Sequence, residues 1–167
     1  MIILYIAIIV AVPAIATGLH FWLVNVTAGG DVDLIPGLFS LTYSENRGVA
    51  FGLFQNSTVF FAITTSIVIL VFGFFLFKNY KKSKLFSIAA SLIIGGGIAN
   101  LIERIAYGYV HDYLKLSFFP PVCNFADYCI TAGTVCLIVY LLFFSDILKS
   151  KKEKERDAAK VKKDAAD

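Results

Sequence analysis

Four long apolar runs, roughly Ile2 to Val24, Val59 to Phe77, Leu85 to Tyr107 and Tyr128 to Phe144, constrain this chain more than any other feature. About 20 apolar residues in a helix cross the roughly 30 Å hydrocarbon core of a bilayer. An isolated segment in hydrocarbon must satisfy its own backbone polar groups, so each run is expected to be a helix. Composition agrees: 58% of the residues are hydrophobic and only 16% charged, where soluble domains carry about 25% charged residues. A soluble globular fold is excluded. The chain reads as an all-α membrane protein with four transmembrane helices. The first run lacks the charged start and small-residue cleavage site of a signal peptide and is read as a retained span. Pro13 is a candidate kink in it, and Gly95, Gly96 and Gly97 permit close helix approach in the third run.

Charge placement orients the spans. The short link between runs two and three holds Lys78, Lys81, Lys82 and Lys84, and eight of the fifteen Lys and Arg residues follow Ser145. Positive loops stay on the cytoplasmic side, which puts both termini inside. The net charge of +3 therefore reflects a basic tail rather than a nucleic-acid surface. The domain division is residues 1–148 for the membrane unit and 149–167 for a basic cytoplasmic tail. The connections Asn25 to Thr58 and Gly108 to Asp127 then face outward. The first is too long for a simple turn. Its β-forming stretch Leu41, Thr42, Tyr43 and its turn signal at Asn46-Arg47-Gly48 suggest a small extracytoplasmic β-element in that loop. The segment GVAFGLF, from Gly48 to Phe54, reads as an amphipathic interfacial element.

The chemistry-bearing residues gather at the outer ends of the spans. Asp112 and Asp127 both fall there among apolar and aromatic neighbours. An acidic side chain this close to hydrocarbon is a functional hypothesis by default. The plain alternative is a pair of helix-end carboxylates, Asp127 being suited to a helix N-terminus. If the two face each other, like charge keeps both from ionising together, and one serves as acid while the other serves as base. Such a pair can activate water against an amide with no metal and no cofactor. Asn100 and Arg104 share a helix face at i and i+4, beside Glu103; they either anchor the helix or tie the loops and a substrate backbone to it. Asn46 and Gly48 read first as an ordinary turn, and an exposed Asn beside a membrane site also suits binding of substrate amides. His20 and His111 are weaker candidates, with a pH-modulating role conceivable for His111 beside Asp112. The cysteines Cys123, Cys129 and Cys136 lack metal-site spacing. They read as packed thiols, with a Cys123–Cys129 disulfide left open.

The segments NRGVAFG, GGGIANLIER, GYVHDYL and NFADYCITAG, in this order across four spans, resemble lipoprotein signal peptidase (signal peptidase II) from about Ile35 to Leu142. The resemblance implies an intramembrane aspartyl endopeptidase of the bacterial inner membrane, with its active site toward the outer leaflet. It implies a prolipoprotein substrate, cut before a diacylglyceryl-modified cysteine, and contact with membrane lipids, with no nucleic-acid partner. The family's catalytic aspartates match Asp112 and Asp127. Its other recurrent polar positions match Asn46, Gly48, Asn100, Arg104 and Asn124, which the resemblance casts as contacting substrate or positioning the dyad. Two departures stand out: Glu103 replaces the usual Asp of N-L-I-D-R, and the first-span D-Q-x-[ST]-K pattern is replaced by Ala16, Thr17, Gly18, Leu19 and His20. Two other classes stay open on the residues alone. One is a small proton-coupled transporter, for which Glu103 is the only mid-span acid. The other is a catalytically silent lipoprotein-binding membrane protein.

Overall fold

The computed structural model describes residues 1–48 and 57–144. It contains four helices, α1 (Ile2–Val26), α2 (Thr58–Asn79), α3 (Lys84–Tyr107) and α4 (Phe125–Phe143). Each is long and apolar enough to cross a membrane. The interfacial element expected from Gly48 to Phe54 falls beyond Gly48 outside the described residues, as does the basic tail.

Helix α3 is the centre of the bundle. In its most apolar window 61% of residues are buried, against 22% in α1, none in α2 and 17% in α4. The other three helices keep large apolar side chains facing outward, among them Phe74, Phe77 and Leu142, as a lipid-facing helix must. Three consecutive glycines explain how one helix serves three neighbours. Successive residues turn about 100° around a helix of 3.6 residues per turn. A Cβ on Gly95 would stand 3.0 Å from Val12 of α1, one on Gly96 2.6 Å from the Ala126 carbonyl oxygen of α4, and one on Gly97 3.2 Å from Ile69 of α2. The α4 contact is the tightest and is reciprocated: a Cβ on Gly133 would stand 2.7 Å from the Ala89 carbonyl oxygen. Backbone meets backbone there, as small residues allow between membrane helices.

The α1–α2 and α3–α4 connections build one antiparallel sheet of four strands in the order β1-β2-β3-β4. Strands β1 (Val32–Ile35) and β2 (Phe39–Asn46) come from the first connection, and β3 (Val110–Leu116) and β4 (Phe119–Cys123) from the second. The sheet is thus larger than the first loop alone predicts. The β1–β2 turn also lies elsewhere than at Asn46-Arg47-Gly48. It falls at Pro36-Gly37, where Gly37 has φ +73°, a left-handed conformation that glycine adopts without penalty. The overlooked signal is that Pro-Gly dipeptide. The central pairing joins β2 to β3, with Ser44 opposite Asp112 and Asn46 opposite Val110, and a register shift between Leu41 and Ser44. Leu23, Leu41 and Tyr113 form a buried cluster that seats the sheet on α1. The Thr58 hydroxyl donates to the Gly108 carbonyl at 2.8 Å, joining the start of α2 to the end of α3.

Gly96→Ala is expected to force α3 and α4 apart and to lower unfolding stability by about 1–3 kcal/mol. Gly73→Ala, where the added Cβ meets nothing within 4 Å, is expected to be neutral or stabilising by up to about 1 kcal/mol. Thermal denaturation of the two variants in the same detergent checks the contrast.

Candidate active site

Four elements converge at the end of the bundle that carries the sheet. Asp112 lies on strand β3 rather than at a helix end, and is 3% exposed. Asp127 lies in the first turn of α4, which begins at Phe125 and so encloses it. Asn100 comes from α3 and Asn46 from the end of β2.

Asn124, the N-cap of α4, links these groups. Its side-chain oxygen accepts from the Asp127 amide at 2.9 Å, and Asp127 Oδ2 accepts from the Asn124 amide at 3.2 Å. The two form a reciprocal capping box of the kind that satisfies helix-start amides. The Asn124 Nδ2 group donates to Asp112 Oδ1 at 2.7 Å and to Asn100 Oδ1 at 3.2 Å. Asn100 Nδ2 in turn donates to Asp127 Oδ1 at 2.9 Å. One asparagine therefore caps the helix that carries one aspartate and hydrogen-bonds the other. The capping role anticipated for Asp127 is real, and it leaves Oδ1 directed at Asn100.

Asp112 receives a second donor, Asn46 Nδ2 to Oδ2 at 2.8 Å. The Gly48 amide donates to Asn46 Oδ1 at 3.1 Å and so orients that side chain. Burial is the main influence on the Asp112 carboxyl, and the charge of Asp127 adds to it. Together they push its pKa up to about 7 against the opposing hydrogen bonds of Asn46 and Asn124. Arg104 donates to the Asn100 carbonyl at 3.4 Å, and its positive charge acts on both Asp127 and Asp112. Asp112, Asp127, Asn46, Gly48, Asn100, Arg104 and Asn124 thus form one connected polar cluster.

Glu103 stands apart from the aspartates and braces the strand that carries one of them. Its Oε2 accepts from the His111 amide at 2.7 Å, one residue before Asp112. Its Oε1 lies 3.1 Å from His20 Nδ1, within ion-pairing distance when that imidazole is protonated but off the line of a hydrogen bond. His20 is therefore more than a helix-end residue: it stacks on Tyr107 at 4.8 Å and meets the His111 ring edge-on at 5.2 Å. His111 is fully buried, and neither ring nitrogen has a hydrogen-bond partner. Burial, with His20 nearby, pushes its pKa down to about 4, so it is neutral at pH 7. Sequence spacing could not pair His20 with Glu103, because residues this far apart meet only through the packing of α1 on α3.

Tyr113 belongs to the site as well, without a motif to mark it. Its hydroxyl accepts from the Phe125 amide at 3.0 Å, fastening β3 to the start of α4. The one available signal was its place two residues after His111 on a β-strand, where alternate residues share a face. The three cysteines are free thiols, and burial pushes Cys123 up to about 11.

Comparisons with known proteins agree with this architecture. The family described as signal peptidase (SPase) II matches residues 6–143. The lipoprotein signal peptidase of Enterococcus faecalis is 36% identical over 78% of this chain and 85% of its own length. That of Streptococcus thermophilus is 43% identical over 73% and 80%, and that of Lactobacillus gasseri 35% identical over 86% and 95%. A solved bacterial membrane enzyme superposes with a TM-score of 0.78 at 27% identity, covering 85% of this chain and 89% of that one.

Glu103→Ala removes the acceptor of the buried His111 amide and is expected to cost about 1–3 kcal/mol of stability. Glu103→Gln keeps an acceptor oxygen and is expected to retain most of it. Denaturation midpoints of the two variants should separate accordingly.

Proposed function

The chain belongs to the signal peptidase II family, and from that premise we propose that it is an intramembrane aspartyl endopeptidase. Its substrate is a lipid-modified prolipoprotein, whose signal peptide it removes by cutting before the diacylglyceryl-cysteine. Asp112 and Asp127 act as the catalytic pair. The observation that carries this reading is the polar cluster that bridges the two carboxyls through Asn124 and Asn100.

The chemistry follows from the pair's shared proton. Two neighbouring carboxyls cannot readily both ionise. Asp112, with its pKa near 7, holds the proton, and Asp127 is the base. Asp127 takes a proton from a water molecule as its oxygen attacks the scissile carbonyl carbon. Asp112 gives its proton to the carbonyl oxygen, forming a neutral gem-diol. Asp127 then returns its proton to the amide nitrogen, and Asp112 recovers one from a diol hydroxyl as the C–N bond breaks. The products are a carboxylic acid and a free amine, and the pair ends as it began. Asn46 and Asn124 hold Asp112 from two sides, and Asn100 holds Asp127, so little reorganisation is needed during the reaction. Arg104 offsets the negative charge of the site.

The surroundings suit a lipid-anchored substrate. The cluster lies where apolar helix ends meet the sheet, at the depth where an acyl-anchored peptide would present its cleavage bond. The positive-inside rule gives this end to the outer leaflet of the bacterial inner membrane, with both termini cytoplasmic, residues 1–148 as the membrane unit and 149–167 as a tail. A transporter reading gains nothing from Glu103, whose carboxylate is engaged by the His111 amide and His20.

Asp112→Asn and Asp127→Asn are each expected to reduce cleavage of a diacylglyceryl-modified prolipoprotein by at least about a thousandfold, well beyond the roughly 100- to 10,000-fold range's lower end for one acid–base group. Membrane insertion should be unchanged. Full processing by either variant in a gel-shift assay would rule the pair out. The pH profile has a defined sign. Asp112 must be protonated at the start of each cycle, so kcat/KM should fall as pH rises through about 7. A rate still climbing well above that pH would contradict the assignment.

A further inference from the structure

At the opposite, lysine-rich end of the bundle, α1 and α2 part to leave a groove of about 440 Å³, within the roughly 300–1,000 Å³ of small-molecule sites. Its lining is almost wholly apolar. Tyr5, Ile9, Leu76 and Ile94 are among the residues of its floor, while Phe74 and Tyr80 stand on its wall. It is remote from the polar cluster: His20, which stands beside Glu103 and His111 at the cluster's end of the bundle, is fourteen residues beyond Ile6 on α1, about 21 Å at 1.5 Å per residue.

Two cations stand on the aromatic residues of this groove. The Lys78 ammonium lies 5.9 Å from the Phe74 ring centroid, and the Lys81 ammonium 5.6 Å from that of Tyr80. Both contacts fall within the reach of a cation–π attraction. Among the described residues neither lysine forms an ion pair. No Asp or Glu occurs in α1, in α2 or in the link to α3, where Lys82, and Lys84 at the start of α3, add further positive charge. An apolar slot whose edge carries ammonium groups that form no ion pair among the described residues matches a molecule with an acyl tail and an anionic head.

We propose that this groove binds one acyl chain of an anionic glycerophospholipid, whose phosphate is held by Lys78 and Lys81. A lysine near a membrane surface attracts anionic lipid with a strength of about fivefold in affinity, so two lysines together confer a preference of more than about tenfold over zwitterionic lipid. This site is separate from the peptidase cluster and does not depend on the reaction proposed there.

Native mass spectrometry of the full chain in detergent tests it, with phosphatidylglycerol and phosphatidylcholine of identical acyl chains in competition. The wild-type chain is expected to retain phosphatidylglycerol over phosphatidylcholine by about tenfold or more. Lys78→Gln with Lys81→Gln, both at the surface, should bring that ratio close to one while lipid still binds. Gly73→Leu should reduce retention of both lipids, because Gly73 lines the groove and an added Cβ there meets nothing within 4 Å. Circular dichroism checks that the helices are intact. Equal retention of both lipids by the wild-type chain would overturn the proposal. So would an unchanged ratio in the lysine double variant, or a dimer that forms as lipid is released, which would assign the groove to a second copy.

Discussion

The close approach of α3 and α4 is the constraint on which the rest of the structure depends. Gly96 lets the α3 backbone meet the Ala126 carbonyl, and Gly133 does the same for α4 against Ala89. Ala126 precedes Asp127, and Gly96 lies one helical turn before Asn100. The contact that brings the backbones together therefore also sets the 2.9 Å hydrogen bond between Asn100 and Asp127. A methyl group at Gly96 would act on packing and on the polar cluster at once. Gly95 and Gly97 face side chains of α1 (Val12) and α2 (Ile69), so three adjacent glycines let α3 pack closely against three helices.

The sheet supplies the second half of the cluster. Asp112 rides on β3, whose position is set from three sides: Asn46 from β2, the Tyr113 hydroxyl on the Phe125 amide, and Glu103 on the His111 amide. Leaving a buried carboxyl or backbone amide unpaired is costly, and here each bond joins a different element to β3. Asn124 closes the network by serving the helix cap and Asp112 together. His20, where the resemblance leads one to expect a first-span lysine, stands 3.1 Å from the Glu103 carboxylate. An aromatic and imidazole stack of His20, Tyr107, His111 and Tyr43 surrounds that contact.

Much of this was legible in the residues. Hydropathy alone locates the four helices, because lipid demands long apolar runs and little else produces them. Hydropathy starts α4 late, at Tyr128, because Phe125 and Ala126 precede the charged Asp127 and only the Asn124 cap reveals that the helix has begun. The second pair of strands was missed for a related reason. Val110 to Leu116 alternates poorly, since His111, Asp112 and Tyr113 are all buried on a strand covered on both faces, and the period-2 signal of a half-exposed strand is absent. The polar residues of the cluster were recognisable by their motifs. Their mutual contacts were not, because Asn46 and Asp112, or His20 and Glu103, meet only through tertiary packing.

The central claim is that Asp112 carries the proton of a carboxyl pair, and difference infrared spectroscopy reads that proton directly. A carbonyl stretch from a protonated carboxylic acid is predicted in the purified chain at pH 6, declining as pH rises through about 7 and missing from Asp112→Asn. The same band persisting unchanged in Asp112→Asn, or no protonated carboxyl at pH 6, would contradict the account.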